Sequence, residues 1–377
     1  MGRVIALSLA CLLGVSSCSD EGQTLGERCQ TASGDEGRTL GNGSLSPSRS
    51  LAFTAMGTVG ELLLPDEGRT LGERCQTASI DEGRTFAIVR DTIDLLEAEF
   101  SIYKSNSILC RLANGESVPL PEASRRLFFL VDKVVQASGG AYDPTVGPLM
   151  RLWGFRGGDR LPSFPDSDRL HEGLSLVGWN RVVEIRGDGA GDGARLLVEG
   201  ARLDFGGVAK GFAVDEACER ILAQNERETS FLVNLGGNMR AYGTPRPGAK
   251  GWTIAVRDPF QPYGKGTVGS LSLTDGQAVA TSGCYEQFVE IDGIRYTHIL
   301  DPRTGMPVRG MAQVTVVAPS AALADALSTA CFVLGPKESV PLLEAFPGTS
   351  AHFIPDEEHG GLATAITVGT FPWMNQE

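Results

Sequence analysis

The sequence predicts an α+β fold, and three observations carry that reading. Apolar residues recur at spacings of three and four in several segments, short apolar and β-branched runs crowd the second half, and no repeated βαβ rhythm links them. Phe86, Val89, Ile93, Leu96 and Phe100 line one face of a first amphipathic helix. Leu127, Leu130, Val131 and Val134 mark a second; Val214, Ala217 and Ile221 mark a third after Lys210. Ala324, Leu327, Cys331 and Leu334 mark a fourth. Strands are expected at 231–235, 252–257, 268–273, 295–300 and 313–318, where β-branched and aromatic residues gather.

Ahead of these elements, Arg3 and the apolar run 4–15 read as an export signal, too short to span a bilayer. Val15-Ser16-Ser17-Cys18 has the form of a lipobox. Residues 1–17 are therefore expected to be a lipoprotein signal peptide and Cys18 the lipidated residue; an ordinary signal peptide with an incidental Cys18 is the alternative. Ser19, in place of Asp, resembles outer-membrane sorting in bacterial lipoproteins more than inner-membrane retention. Residues 18–50 are rich in Gly and Ser and read as a tether, leaving 51–377 as the globular part. A polar segment beginning at Asp20 and running through Cys29 recurs from Asp66 through Cys75. Two polar copies are too few for a solenoid, so a duplicated loop is the better reading. Cys29 and Cys75 could pair in an oxidising compartment, but sequence does not establish it.

At 377 residues and 42% hydrophobic, the chain is long enough for a sizeable core. Its net charge of -13 argues against a nucleic-acid partner, since phosphate backbones are bound through excess Lys and Arg. Cys110, Cys218, Cys284 and Cys331 show no C-x-x-C spacing, which argues against a zinc site. Glycine pairs at 139–140, 206–207 and 236–237 allow tight turns or close approach of backbone to a ligand.

Two motifs carry chemistry. His298-Ile299-Leu300-Asp301-Pro302-Arg303-Thr304-Gly305 reads as a strand ending in a polar turn, with an imidazole near the end. Asp325 and Thr329 stand at i and i+4, on one face of a helix start. A titratable base and two hard oxygens suit a magnesium site that handles phosphates. Each also has a plain structural reading: Asp325 and Thr329 as an ordinary first turn, His298 as a hydrogen-bonded strand-end residue, Lys210 as a solvated cation.

Further motifs occur in a fixed order: Met56-Gly57-Thr58, Phe100-Ser101-x-Tyr103, the run from Gly140-Ala141-Tyr142-Asp143 to Leu149, the run from Leu203-Asp204 to Lys210-Gly211, and Asn234-Leu235-Gly236-Gly237-Asn238. With Ala280-Thr281-Ser282-Gly283, the His298 motif and Ala324-Asp325 to Thr329, the chain resembles the ApbE family, the FAD:protein FMN transferases, from about Phe53 onward. The second repeat copy departs from that family's pattern as an insertion at about 65–82.

The resemblance implies an ApbE-like fold of mixed helices and largely antiparallel strands, with the flavin site in a cleft. It implies transfer of the FMN half of FAD to a threonine hydroxyl of a flavoprotein acceptor, releasing AMP, with Mg²⁺ required. Asp325, Thr329 and a Gly207 carbonyl would ligate the metal. Met56, Tyr103, Ala141, Tyr142, Asp143, Asp204, Lys210 and Ile299 would contact FAD, and His298 would be the catalytic base. The expected setting is the bacterial cell envelope, lipid-anchored and facing the periplasm. A Mg²⁺-dependent FAD pyrophosphatase giving FMN and AMP, and a non-catalytic periplasmic FAD-binding lipoprotein, are the alternatives. The chain itself has no acceptor threonine of the Ser/Asp-Gly-x-Thr type, so self-modification is not expected.

Overall fold

The computed structural model describes residues 5–6, 49–65, 81–157, 163–186, 193–224, 229–261, 265–356 and 364–374. The expected signal segment (save a two-residue strand, Ile5–Ala6), Cys18, Cys29, Cys75, nearly all of the tether and the insertion from 66 to 80 lie outside them.

Eight strands form one sheet: β1 Arg49–Ala55, β2 Thr58–Leu64, β3 Phe231–Leu235, β4 Asn238–Tyr242, β5 Ala278–Gly283, β6 Met311–Ala318, β7 Ser350–Pro355 and β8 Ile366–Val368. They lie side by side in chain order, from β1 at one edge to β8 at the other. Every neighbouring pair is antiparallel. Antiparallel neighbours need no helical crossover, which is why the sequence has no βαβ rhythm.

Four long helices interrupt this meander. α1 Glu82–Phe100, α2 Glu122–Ala137 and α3 Ala209–Gln224 fall between β2 and β3; α4 Ala321–Glu344, kinked where Gly335 leaves helical backbone (φ 74), falls between β6 and β7. All four contain the periodic residues predicted for them. The Asp81 carboxylate accepts from the Arg84 N–H at the start of α1, satisfying an end donor. Ser320 does the same for Leu323 in α4. Beneath that end, the buried Asp215 carboxylate accepts from the Ala321 and Ala322 N–H groups, each at 2.8 Å, and pairs with Arg240 at 2.9 Å.

The helices cover one face of the sheet and share its largest apolar core. Trp252–Arg257, antiparallel to Thr267–Leu273, covers the other face around Leu63, Leu232, Met239 and Val317. A third cluster joins the short helix Gly147–Leu152 to the hairpin of Phe288–Ile291 and Ile294–Thr297 through Met150, Trp153, Ile291 and Tyr296.

The strand expected at 295–300 is split. Ile294–Thr297 belongs to that hairpin, whereas Leu300–Asp301 pairs with Met306–Pro307, so His298 falls between two ladders. The edge strand β1 was not expected: its alternation is short, and only Phe53 and Ala55 are buried.

α3 and α4 touch at Gly211. A Cβ there would stand 2.6 Å from the Ala321 carbonyl carbon and 2.8 Å from the Ala322 nitrogen, both backbone atoms that cannot rotate away. Gly211→Ala should therefore cost about 1–3 kcal/mol, seen as a lower melting temperature by circular dichroism. An unchanged melting temperature would show that the two helices can separate freely.

Candidate functional site

The helix contact at Gly211 gathers the candidate polar groups. The Gly211 N–H donates to Asp325 Oδ2 at 3.0 Å, and Lys210 Nζ lies 3.9 Å from the same oxygen. Lys210 also donates to the Gly206 carbonyl at 2.9 Å, holding the glycine turn against the helix. Thr329 stands one helical turn beyond Asp325, with its hydroxyl 3.4 Å from Ser282 Oγ. Gly207 faces that hydroxyl so closely that a Cβ would lie 2.9 Å from Thr329 Oγ1 and 3.4 Å from the Tyr142 ring. The missing side chain leaves a narrow cradle between Thr329 and Tyr142 that a Cβ would fill.

Charge in this cradle is held at a cost. Burial raises the pKa of Asp325, opposed by the Lys210 cation and the Gly211 N–H. Tyr142 is pushed well above the usual phenol range, first by burial and then by Asp325, Asp143 and Asp204. Its hydroxyl is buried with no hydrogen-bond partner. An orphaned hydroxyl beside this cradle fits an added ligand that would accept or donate there. Among the described residues, no group of three His, Cys, Asp or Glu side chains is placed to hold a metal. A cation here would draw on one carboxylate, one hydroxyl and backbone carbonyl oxygen, a donor set suited to a hard ion.

His298 follows the hairpin strand Ile294–Thr297, and the Lys210 and Asp204 charges both bear on it. Its backbone N–H and its Nδ1 both lie 3.1 Å from the Gln287 carbonyl. A carbonyl can only accept, so the proton sits on Nδ1 and Nε2 keeps its lone pair. The Phe155 ring meets the imidazole edge-on at 6.4 Å. Burial lowers the His298 pKa to about 4; the Gln287 bond and Asp204 oppose this, while Arg156 and Lys210 add to it.

The other expected contacts are more scattered. Met56 sits at the β1–β2 turn with φ 49, and its N–H donates to Glu97 at 3.1 Å. Tyr103, on the loop after α1, is 75% exposed. Ala141 is buried beside Tyr142. The Asp143 carboxylate accepts from the N–H and hydroxyl of Thr145 and from the Trp179 N–H, so its side chain is engaged within the fold. Ile299 is buried, and its carbonyl accepts from the Val308 N–H at 2.9 Å. Asp204 pairs with Arg156 at 2.8 Å and accepts from the Gly206 N–H at 2.8 Å. Asp301, in the turn that ends the His298 motif, is held in a two-point pair with Arg303, both bonds at 2.9 Å.

Two site residues escaped the sequence reading. Burial pushes the Glu286 carboxyl up to about 7, with Lys210 and Arg257 lowering it and Asp325 raising it. Arg156 bridges Asp204 to the segment that holds His298. Neither has a spacing signal, because each reaches the site from a turn and not from a periodic face.

The model of the ApbE family matches residues 56–353. The chain is 38% identical over 291 residues to the FAD:protein FMN transferase of Treponema pallidum, covering 72% of this chain and 78% of that one. To the FAD:protein FMN transferase of Haemophilus influenzae it is 32% identical over 263 residues, covering 68% and 73%. The crystal structure of the ApbE protein of Thermotoga maritima superposes with a TM-score of 0.72 at 30% identity, over 85% of this chain and 97% of that one. The flavin transferase ApbE from Vibrio cholerae gives 0.72 at 26% identity, over 87% and 99%.

Proposed function

The chain belongs to the ApbE family, and from that membership and its site we propose that it transfers the FMN part of FAD to a threonine hydroxyl of an acceptor flavoprotein, with Mg²⁺, releasing AMP. The observation that carries this reading is the convergence of Asp325, Thr329, Gly207 and Lys210 below an unpartnered Tyr142 hydroxyl.

Asp325, Thr329 and the Gly207 carbonyl would hold Mg²⁺, which supplies neutralisation of pyrophosphate charge. Lys210 adds a fixed positive charge beside the phosphates. The neutral His298 Nε2 takes the proton of the threonine hydroxyl as its oxygen bonds to the FMN phosphorus. The bond from that phosphorus to the bridging oxygen breaks, and AMP leaves with the oxygen. Tyr142, Asp204 and Ile299 would line the FAD site from within. Met56, Tyr103, Ala141 and Asp143 would complete it, with Tyr103 suited to cover a flat flavin ring.

Incubating the protein with FAD, Mg²⁺ and a purified acceptor carrying a threonine flavinylation motif tests this. Covalently flavinylated acceptor plus AMP is the expected result. Free FMN plus AMP would replace the reading with a pyrophosphatase, and unchanged FAD with a binding protein.

The export reading adds a lipid anchor at Cys18 and a place in the cell envelope facing the periplasm. Cys18→Ala should move the protein from the membrane pellet to the soluble periplasmic fraction, because a cleaved chain without lipid has no anchor. Continued sedimentation with membranes would refute the anchor.

A further inference from the structure

The turn after the short helix Gly147–Leu152 touches both the His298 motif and the Asp204 turn. Trp153 donates its indole N–H to the Gly305 carbonyl at 2.8 Å, at the end of the His298 motif. Phe155 places its ring against the His298 imidazole. Arg156 then forks: Nε donates to Asp204 Oδ2 at 2.8 Å, and Nη1 donates to the Gln287 side-chain carbonyl at 3.0 Å and to the Phe155 carbonyl at 3.2 Å. The Arg156 side chain is only 16% exposed and that of Asp204 8%, so the pair is well shielded from water.

Each end of this fork holds something the reaction needs. Asp204 fixes the Gly206 N–H, and through it the turn carrying Gly207 and Lys210. Gln287 supplies the backbone carbonyl that orients His298 Nδ1. We propose that Arg156 is a positioning residue that sets the spacing between the Asp204–Gly207 turn and the His298 imidazole. The proposal rests on the transferase reading for its kinetic consequence, but its structural core does not.

The fork matters because a guanidinium is planar and can serve two partners in fixed directions, whereas an ammonium is a point charge on a flexible stem. Its cation has a second effect. The charged groups that bear on His298 are Arg156 and Lys210, which lower its pKa, and Asp204, which raises it. Removing Arg156 deletes one cation and frees the Asp204 carboxylate, and both changes favour protonated His298.

The test uses Arg156→Gln and Arg156→Lys, with NMR titration of the histidine ring protons in protein free of flavin and metal, His298 being assigned by its loss in His298→Ala. Arg156→Gln should raise the His298 pKa by roughly half a unit or more, and Arg156→Lys should leave it near the parent value. In FAD-dependent transfer assays, both variants should lose roughly tenfold or more in kcat, with KM for FAD changed less than threefold. Lysine restores charge but not the fork, so recovery of the pKa without full recovery of kcat is the signature. An unmoved His298 pKa in Arg156→Gln, or a full kcat in Arg156→Lys, would overturn the proposal. If Arg156→Gln fails to fold, the kcat of Arg156→Lys decides it. If the parent protein transfers no flavin, the function reading fails, while the titration still decides whether Arg156 acts on His298.

Discussion

Asp325→Ala is expected to reduce Mg²⁺-dependent transfer by roughly a thousandfold, to background. The carboxylate is the one full negative charge in the proposed ligand set; without it a hydroxyl and a carbonyl remain, too few to hold a divalent cation against its hydration shell. The same oxygen accepts the Gly211 N–H, so alanine also strands a buried donor at about 1–3 kcal/mol. Asp325→Asn separates the two effects. It keeps an acceptor for Gly211 while removing the charge, so its melting temperature should stay near the parent value while activity is lost. Calorimetric titration of Mg²⁺ in the presence of FAD should show binding in the parent and none in either variant. Full activity of Asp325→Ala at ordinary Mg²⁺ would eliminate the metal assignment.

His298→Ala should slow FMN transfer by roughly a hundredfold or more, while FAD affinity, read from flavin fluorescence quenching, changes little. Burial disfavours the imidazolium, so the pKa falls from 6.5 to about 4 and the ring is neutral at physiological pH. The Nδ1 proton is committed to Gln287, leaving Nε2 free to take a proton. The sign follows: kcat/KM in the parent should be flat through neutral pH and decline as pH falls toward about 4, where the base becomes protonated. His298→Ala should lose that acid limb along with its rate. Phosphoryl transfer through a loose transition state asks little of a base, which bounds the effect from above. Equal loss of binding and transfer would make His298 a structural residue instead.

Much of this architecture was legible because it rests on periodicity. The stripe from Phe86 to Phe100 could only bury one helical face, and α1 buries Val89, Ile93, Leu96 and Phe100. β3 and the strand Trp252–Arg257 match the expected spans residue for residue. The strands that escaped did so for physical reasons. β5 is covered on both faces and built of small residues, so it has no alternation to read. β7 is buried at five of its six positions, so it too shows no exposed face to alternate with. The break at His298 is a matter of hydrogen-bond partners, since the Gln287 carbonyl receives both its backbone and its ring N–H. At the site, Asp325, Thr329, Gly207 and Lys210 were visible as motifs. Arg156 and Glu286 were not, because their roles depend on which turns the fold brings together.

The chain-order sheet has a consequence for how the molecule is assembled. β2 can zip onto β1 at once through the Met56–Gly57 turn, but its other edge must wait for β3, where Gly60 pairs with Leu235. Everything between them, including α1 to α3, has to be made and set aside before that seam can close. Loop closure over so long a separation slows the pairing, and meanwhile the β2 edge offers its unpaired backbone groups to any other strand. A chain emerging N-terminus first would carry that open edge until most of its length had emerged, so the period of greatest exposure to mispairing is built into the order of the strands.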